Sequence, residues 1–218
     1  DILHGWDNWA ATIEGVSEGN PVVFTDSFRE ASWFTFYGDE PTTSMNTIYH
    51  YRRNQFDFSD LDRQLMGKKV LLLSSQLLPR QQILQTDFRK TYKYTLIDTF
   101  AYFPKIHIKT EENKYTVETE DVKQKITIPI TLTQQPYTLV ELETAGMPTL
   151  SCFYFDEDNE AILKHSTKIT VQDIMKKGDK WELNLPIPDE VGQYELRFGW
   201  RVGEILPTRN GLCTVEVR

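Results

Sequence analysis

The stretch Lys68-Lys69-Val70-Leu71-Leu72-Leu73-Ser74 decides how the first part of the chain folds. Its four central residues are apolar, which is typical of a strand buried on both faces of a parallel sheet. Pro21-Val22-Val23-Phe24-Thr25 is a similar short run, and Thr43–Asn46 can form another strand between the two. The segments around these strands favour helices, so the sequence predicts the order helix–strand–helix–strand–helix–strand of a small parallel α/β layer.

Each predicted helix has its own signal. Residues 6–13 carry apolar side chains at three- and four-residue steps, the spacing of one helix face. Ser27 and Glu30 have the spacing of a capping box, so a second helix is expected to begin there and to end at Gly38. A short third helix is expected between about residue 60 and Gly67. Together with the strands, these helices predict a three-layer, Rossmann-like unit.

The sequence Tyr49-His50-Tyr51-Arg52-Arg53-Asn54-Gln55-Phe56-Asp57-Phe58, here called the aromatic-arginine loop, has neither a helical nor a strand period. It follows the middle of the three predicted strands, and open α/β sheets place ligands beyond the carboxyl ends of strands. Arginine and amide groups bind anionic or hydroxyl-rich ligands, and aromatic rings stack on sugars. The candidate substrate-binding residues are Tyr49, Tyr51, Arg52, Arg53, Asn54, Gln55 and Asp57. The alternative is a polar knot that only pins the loop to its own domain.

The composition changes near Leu78-Pro79-Arg80, and short alternating segments follow. Tyr194–Trp200 alternates cleanly, and its start resembles the late strand of immunoglobulin-like modules, with Leu212–Val217 as the closing partner. The other predicted strands lie at residues 92–97, 105–109, 125–130, 138–143, 151–155 and 180–185. The sequence therefore predicts an α+β chain with a small Rossmann-like α/β domain at 1–85 and an antiparallel immunoglobulin-like β-sandwich at 86–218.

Composition excludes several functions. The formal net charge is −8 without a basic stripe, which argues against nucleic acid and anionic membrane surfaces as partners. The four histidines lack metal-ligand spacing and no Gly-rich phosphate fingerprint follows a strand, so neither a metal nor another cofactor is expected. No nucleophile motif is present, so no catalytic residue is expected. The acidic run at 156–158 is typical of a turn.

The two cysteines, Cys152 and Cys213, leave two possibilities open. They can form one bridge if the chain folds outside the cytosol, or they can be two buried thiols in strands. The absence of an initiator Met and of a signal segment at Asp1 suggests a piece of a longer protein.

Short blocks in the first third of the chain follow one another in a characteristic succession. They are His4–Ala10, Pro21–Phe24, Ser27–Ser32, Phe36–Gly38, Ser44–Asn46, Tyr51–Asp57 and Gly67–Leu72. This succession resembles the region that follows the membrane helices in bacterial GT-C glycosyltransferases of the protein-mannosyltransferase and aminoarabinose-transferase type, as found in Bacteroidetes. That family more often has Tyr at positions 28 and 56 and Trp at position 58, where this chain has Phe. These swaps keep stacking surfaces but remove polar donors.

The resemblance implies a whole protein that moves a sugar from a polyprenyl-phosphate donor to an acceptor at the periplasmic face of the inner membrane. The family's catalytic acid lies between membrane helices that this sequence does not contain. The chain is therefore expected to be an accessory part that caps the active site or orients the acceptor, and to be inactive alone. Its expected partners are its own transmembrane region and a glycan or lipid-linked sugar.

Two other functions compete with this interpretation. A secreted or surface glycan-binding or adhesion module would carry exposed aromatic residues on one sandwich face. A structural spacer would have no pocket near Arg52 and Arg53.

Overall fold

The computed structural model describes residues 5–52, 54–74, 81–86, 90–101, 106–118, 125–133, 146–203 and 205–218. The chain is rich in β-structure and forms two compact units. The first comprises Asp1–Tyr102, Leu139–Gly146 and Glu204–Leu206, and the second comprises Phe103–Thr138, Met147–Gly203 and Pro207–Arg218. Within the described residues, no helix is long and apolar enough to cross a membrane.

The first unit is one mixed sheet with helices. Its elements are α1 (Trp6–Ser17), β1 (Val22–Thr25), α2 (Phe28–Tyr37), β2 (Thr42–Met45), a 3₁₀ helix (Gln55–Phe58), α3 (Leu61–Leu65), β3 (Val70–Ser74), β4 (Gln82–Gln85) and β5 (Thr91–Ile97). The strand order is β2-β1-β3-β5-β4. β1 is parallel to β2 and β3, whereas β5 is antiparallel to β3 and β4. Apart from the short 3₁₀ helix, the elements from α1 to β3 thus follow the predicted order, but the sheet is not wholly parallel.

The apolar strands β1 and β3 are buried throughout because both faces of the sheet are covered. On one face, Phe24 and Leu71 pack against Trp9 of α1 and Phe34 of α2. On the other face the core is smaller and includes Leu65 from the five-residue helix α3. Complete burial of each such side chain contributes about 1.5–3 kcal/mol. This double coverage explains why the strands lack the alternation of half-exposed strands.

The sheet continues past residue 85, where the sequence predicted a domain boundary. β5 pairs with Val70–Ser74 on one side and with β4 on the other, so it lies inside the first sheet. The boundary therefore moves to about Tyr102. The alternation of residues 92–97 was assigned to the sandwich because a period of two identifies a strand but not the sheet that it joins.

The second unit is a β-sandwich. Its elements are β6 (His107–Thr110), β7 (Lys114–Val117), β8 (Lys125–Thr133), β9 (Thr149–Phe155), β10 (Ala161–Thr170), α4 (Val171–Lys177), β11 (Lys180–Pro186), β12 (Gly192–Arg201) and β13 (Gly211–Val217). One sheet has the order β10-β9-β12-β13-β7 and the other β11-β8-β6. β13 and β7 pair in parallel, so the expectation of a purely antiparallel sandwich is corrected. The strand predicted at 138–143 lies outside the described residues.

Tyr194 makes a hydrogen bond that is typical of one corner of immunoglobulin-like sandwiches. Its phenol oxygen donates to the backbone carbonyl of Glu190 at 2.9 Å, just before β12 begins to pair. In the tyrosine corner of immunoglobulin-like sandwiches a tyrosine hydroxyl likewise returns to the backbone a few residues upstream. The buried stripe Tyr194, Leu196, Phe198 and Trp200 is core, as the alternation of β12 predicts.

Cys152 and Cys213 are two free, buried thiols. Cys152 lies on β9 opposite Phe198, and Cys213 lies on β13 opposite Leu196, so β12 separates them. Two strand spacings of about 4.8 Å each exceed the Cα separation of about 7 Å that a disulfide can bridge. Burial raises the pKa of both thiols, that of Cys213 to about 12. The sequence left open a disulfide or two buried thiols, and in the structure both cysteines are buried free thiols.

Candidate functional site

The aromatic-arginine loop follows β2, which lies at one edge of the sheet and not at its centre. The sequence identified β2 as the middle strand along the chain, but β1 lies between β2 and β3 in space. The chain runs from β1 outward to β2 and then returns across β1 to β3. The strand order therefore reverses between β1 and β3, which is where open α/β sheets bind ligands.

Part of the loop is held by its own hydrogen bonds. The Asn54 side-chain oxygen accepts from the Phe56 N–H at 2.9 Å, and the Asp57 carboxylate accepts from the Asn54 N–H at 2.7 Å. Asn46 donates through Nδ2 to Asp57 Oδ1 at 3.1 Å and accepts from the Arg52 N–H at 3.2 Å. Asn54 and Asp57 thus cap the 3₁₀ helix and close the loop, which is the structural role that the sequence left as an alternative.

The other predicted site residues lie along helix α2 or face solvent. Gln55 Nε2 donates to Ser32 Oγ at 2.7 Å. The Arg52 guanidinium lies 5.1 Å from the Phe28 ring centroid, and Arg52 and Tyr51 have exposed side chains.

Tyr49 is half-buried, and its N–H donates to Thr47 Oγ1 at 3.3 Å. Arg53 lies outside the described residues. Tyr51, Arg52 and Gln55 are thus the described candidate residues whose side chains are exposed.

A small cavity lies at the carboxyl ends of β1 and β3, and we call it the switch-point pocket. Its volume is about 330 Å³, the lower end of the usual range of about 300–1,000 Å³ for small-molecule sites. It is lined by Thr25, Asp26, Ser27, Glu30, Leu73, Ser74, Lys90, Thr91 and Tyr92. Most of these side chains are polar, so the cavity suits a ligand with many hydrogen-bonding groups.

Asp26 joins the pocket to the aromatic-arginine loop. Its carboxylate accepts from the Thr47 N–H and from Thr47 Oγ1, both at 2.6 Å, two residues before the loop begins. Its backbone has φ of 59°, in the left-handed region, which costs a residue other than glycine roughly 1–2 kcal/mol. Burial raises the pKa of Asp26, although both hydrogen bonds from Thr47 oppose the shift. Backbone strain and a shifted carboxyl pKa at one position are typical of functional sites.

Glu30 and Lys90 form an ion pair at the side of the pocket. The Glu30 side chain is 14% exposed and that of Lys90 is 40% exposed, so both remain accessible to a ligand. Tyr92 lies beside them, and its phenol oxygen accepts a hydrogen bond from Trp9 Nε1 at 3.3 Å. Burial, followed by the charge of Glu30, raises the pKa of Tyr92, so the phenol is neutral at pH 7.

Sequence reasoning missed this pocket. It assigned Ser27 and Glu30 to a capping box, but Ser27 makes no side-chain cap hydrogen bond, and Glu30 pairs with Lys90 instead. The polar residues Thr25, Asp26 and Ser27 at the end of an apolar strand were the available signal. Lys90 could not be found in this way because it lies 60 residues after Glu30 along the chain.

The exposed aromatic residues and the pocket bear on the two competing functions, the glycan-binding module and the structural spacer. Among the described residues, the exposed large aromatic side chains are Phe36, Tyr51 and Phe58, all in the first unit. A glycan-binding sandwich would require such residues in the second unit. A structural spacer would have no pocket near Arg52; the Arg52 guanidinium lies 5.1 Å from the ring centroid of Phe28, the chain neighbour of pocket-lining Ser27, but Arg52 does not itself line the switch-point pocket.

Comparisons with known proteins leave the family open. No protein-family model matches the chain, and no curated protein matches it. Among solved structures, a glycosyl hydrolase family 2 member from Bacteroides cellulosilyticus is 8% identical, with a TM-score of 0.29 over 59% of this chain and 16% of the other. A tri-modular GH5 endo-β-1,4-glucanase from Bacillus licheniformis is 9% identical, with a TM-score of 0.28 over 73% and 27%. Extracellular domains 3–5 of Drosophila OTK are 10% identical, with a TM-score of 0.27 over 53% and 37%.

This chain thus spans well under half the length of each of these structures. At such TM-scores the likeness carries no argument about fold or function.

Proposed function

We propose that this chain is the periplasmic accessory part of a GT-C membrane glycosyltransferase that uses a polyprenyl-phosphate sugar donor. In this proposal the first unit is a small Rossmann-like module, the second is an immunoglobulin-like sandwich, and neither is catalytic alone. The chain caps the active site or orients the acceptor, and its partners are its own transmembrane region and a glycan or lipid-linked sugar. The succession of sequence blocks from His4 to Leu72 supports the family assignment.

The observation that carries a sugar-handling role is the position of the switch-point pocket beside the aromatic-arginine loop. Asp26 holds the beginning of the loop through Thr47, and Arg52 lies against the first residue of α2. The pocket itself is lined by carboxylates, hydroxyls and an ammonium group, whereas the exposed guanidinium of Arg52 and the exposed phenol of Tyr51 belong to the loop and do not line the pocket. Such groups bind sugar hydroxyls and phosphates by hydrogen bonding and stacking.

Transfer by the full-length enzyme tests this role. Arg52→Ala should lower transfer by about tenfold or more, because a charge-assisted hydrogen bond contributes about 1.5–3 kcal/mol. Arg52 is exposed, so the variant should keep the thermal unfolding midpoint of the wild type. Arg201→Ala is the matched control, since Arg201 is an exposed arginine of the second unit and should leave transfer unchanged.

Two outcomes would count against the role. Unchanged transfer by Arg52→Ala would overturn the binding function of the loop. A variant that fails to fold would show that Arg52 is part of a structural knot.

A further inference from the structure

We infer that the switch-point pocket binds an uncharged sugar residue, with Glu30 and Lys90 as the two principal contacts. The inference rests on the proposed function in that both assign sugar handling to this edge of the sheet. It goes further by naming the ligand class and residues that the sequence did not identify as a site.

The charge of the pocket decides the ligand class. Among the described lining residues, Asp26 and Glu30 are carboxylates and Lys90 is the cation. A phosphate or carboxylate ligand would lie beside two like charges, which disfavours it. A neutral polyol avoids this repulsion and can use every polar group that is present.

The Glu30–Lys90 pair supplies complementary partners for adjacent hydroxyl groups. A carboxylate only accepts hydrogen bonds and an ammonium only donates them, whereas each sugar hydroxyl does both. One ligand hydroxyl can therefore donate to Glu30 while its neighbour accepts from Lys90. The side chains are 14% and 40% exposed, so a ligand can reach both groups without breaking the fold.

Thr25 lies at the edge of the same pocket, but its hydroxyl is too buried to contact a ligand there. It lines the pocket, is 4% exposed, and its Oγ1 is buried without a hydrogen-bond partner in the described part of the chain. Orphaned polar atoms of this kind are uncommon in folded proteins. The next residue, Asp26, also lines the pocket, and its backbone is strained in the left-handed region.

The test is an amide ¹H–¹⁵N NMR titration of the 218-residue chain with the methyl glycosides of glucose, galactose and mannose. At least one should shift the amides of Ser27 and Lys90, and Glu30→Gln should weaken that binding by about tenfold. Glu18→Gln is the matched control because Glu18 forms an exposed ion pair with Lys69 at 3.0 Å, away from the pocket. This control should bind like the wild type.

Three results would overturn the inference. The first is no shift with any of the glycosides, and the second is tighter binding of glucose 6-phosphate than of methyl glucoside. The third is an equal loss of affinity in Glu30→Gln and Glu18→Gln. The proposed function fails separately, since it requires Arg52→Ala to impair transfer. Sugar binding in the pocket together with unimpaired transfer by Arg52→Ala would support the inference and refute the proposed function. No sugar binding together with impaired transfer by Arg52→Ala would do the opposite.

Discussion

The buried hydroxyl of Thr25 makes a prediction that runs against the usual direction of a core mutation. Thr25 is 4% exposed, and its Oγ1 has no hydrogen-bond partner among the described residues. Valine has almost the same shape and replaces the hydroxyl with a methyl group. We therefore expect Thr25→Val to stabilise the first unit.

The magnitude follows from the desolvation of the hydroxyl. Leaving such a group buried and unpaired costs about 1–3 kcal/mol. At the low end, Thr25→Val should raise the free energy of unfolding by about 1 kcal/mol, or about 4 °C in the melting temperature of a unit of this size. Thr42 is the matched control, because it is a buried threonine on the neighbouring strand β2 and its Oγ1 donates to the Val22 carbonyl at 2.9 Å. Thr42→Val should destabilise the unit by about 1 kcal/mol.

Urea unfolding followed by tryptophan fluorescence measures both variants, since Trp9 is fully buried in the first core. The dependence of the free energy on urea should be unchanged, so that midpoint shifts report stability. The reasoning is refuted if Thr25→Val destabilises the unit as much as Thr42→Val does. That result would show that the Thr25 hydroxyl makes a favourable hydrogen bond.

Three further predictions concern other parts of the molecule. Asp26→Ala should destabilise the first unit by about 2–4 kcal/mol, because Thr47 loses both hydrogen bonds to the carboxylate. The variant should also be cleaved faster by proteases in the aromatic-arginine loop, and equal cleavage of wild type and variant would contradict the anchoring role of Asp26. Tyr194→Phe should lower the free energy of unfolding in urea by about 1 kcal/mol, because the hydrogen bond to the Glu190 carbonyl is lost. An unchanged unfolding midpoint would argue against a stabilising role for this bond. The pKa of Cys213 is raised to about 12. The buried thiol therefore makes its full contribution to stability below an unfolded-state pKa of about 8.5, and that contribution falls by up to about 1.4 kcal/mol per pH unit above it. Cys213→Ser should lose stability less steeply than the wild type between pH 9 and 10.5, and parallel curves of stability against pH would refute this.

The local elements of the first unit were predictable from sequence because apolar runs and helical spacing are local signals. Val70–Ser74 is buried on both faces, as its continuous apolar run predicts. The assignment of β5 was not predictable, because the same alternating pattern fits either sheet. β10 was also missed, since Ala161–Thr170 is an edge strand with many polar residues and without a buried apolar run.

The candidate site was only partly predictable for the same physical reason. The sequence located the aromatic-arginine loop, and Asn54 and Asp57 turned out to hold it together. The switch-point pocket depends on which strand is central and on Lys90, which is distant along the chain. Those are properties of the strand order, which local patterns do not determine.

The most direct test of sugar recognition at the switch point is a crystal structure of this chain soaked with the methyl glycoside that shifts the Ser27 amide. Our interpretation predicts one sugar ring in the pocket, with hydroxyl groups within about 3.2 Å of Glu30 and Lys90. A sugar bound only to the second unit, or a pocket that stays empty while the soaked crystal shows the sugar elsewhere, would contradict it.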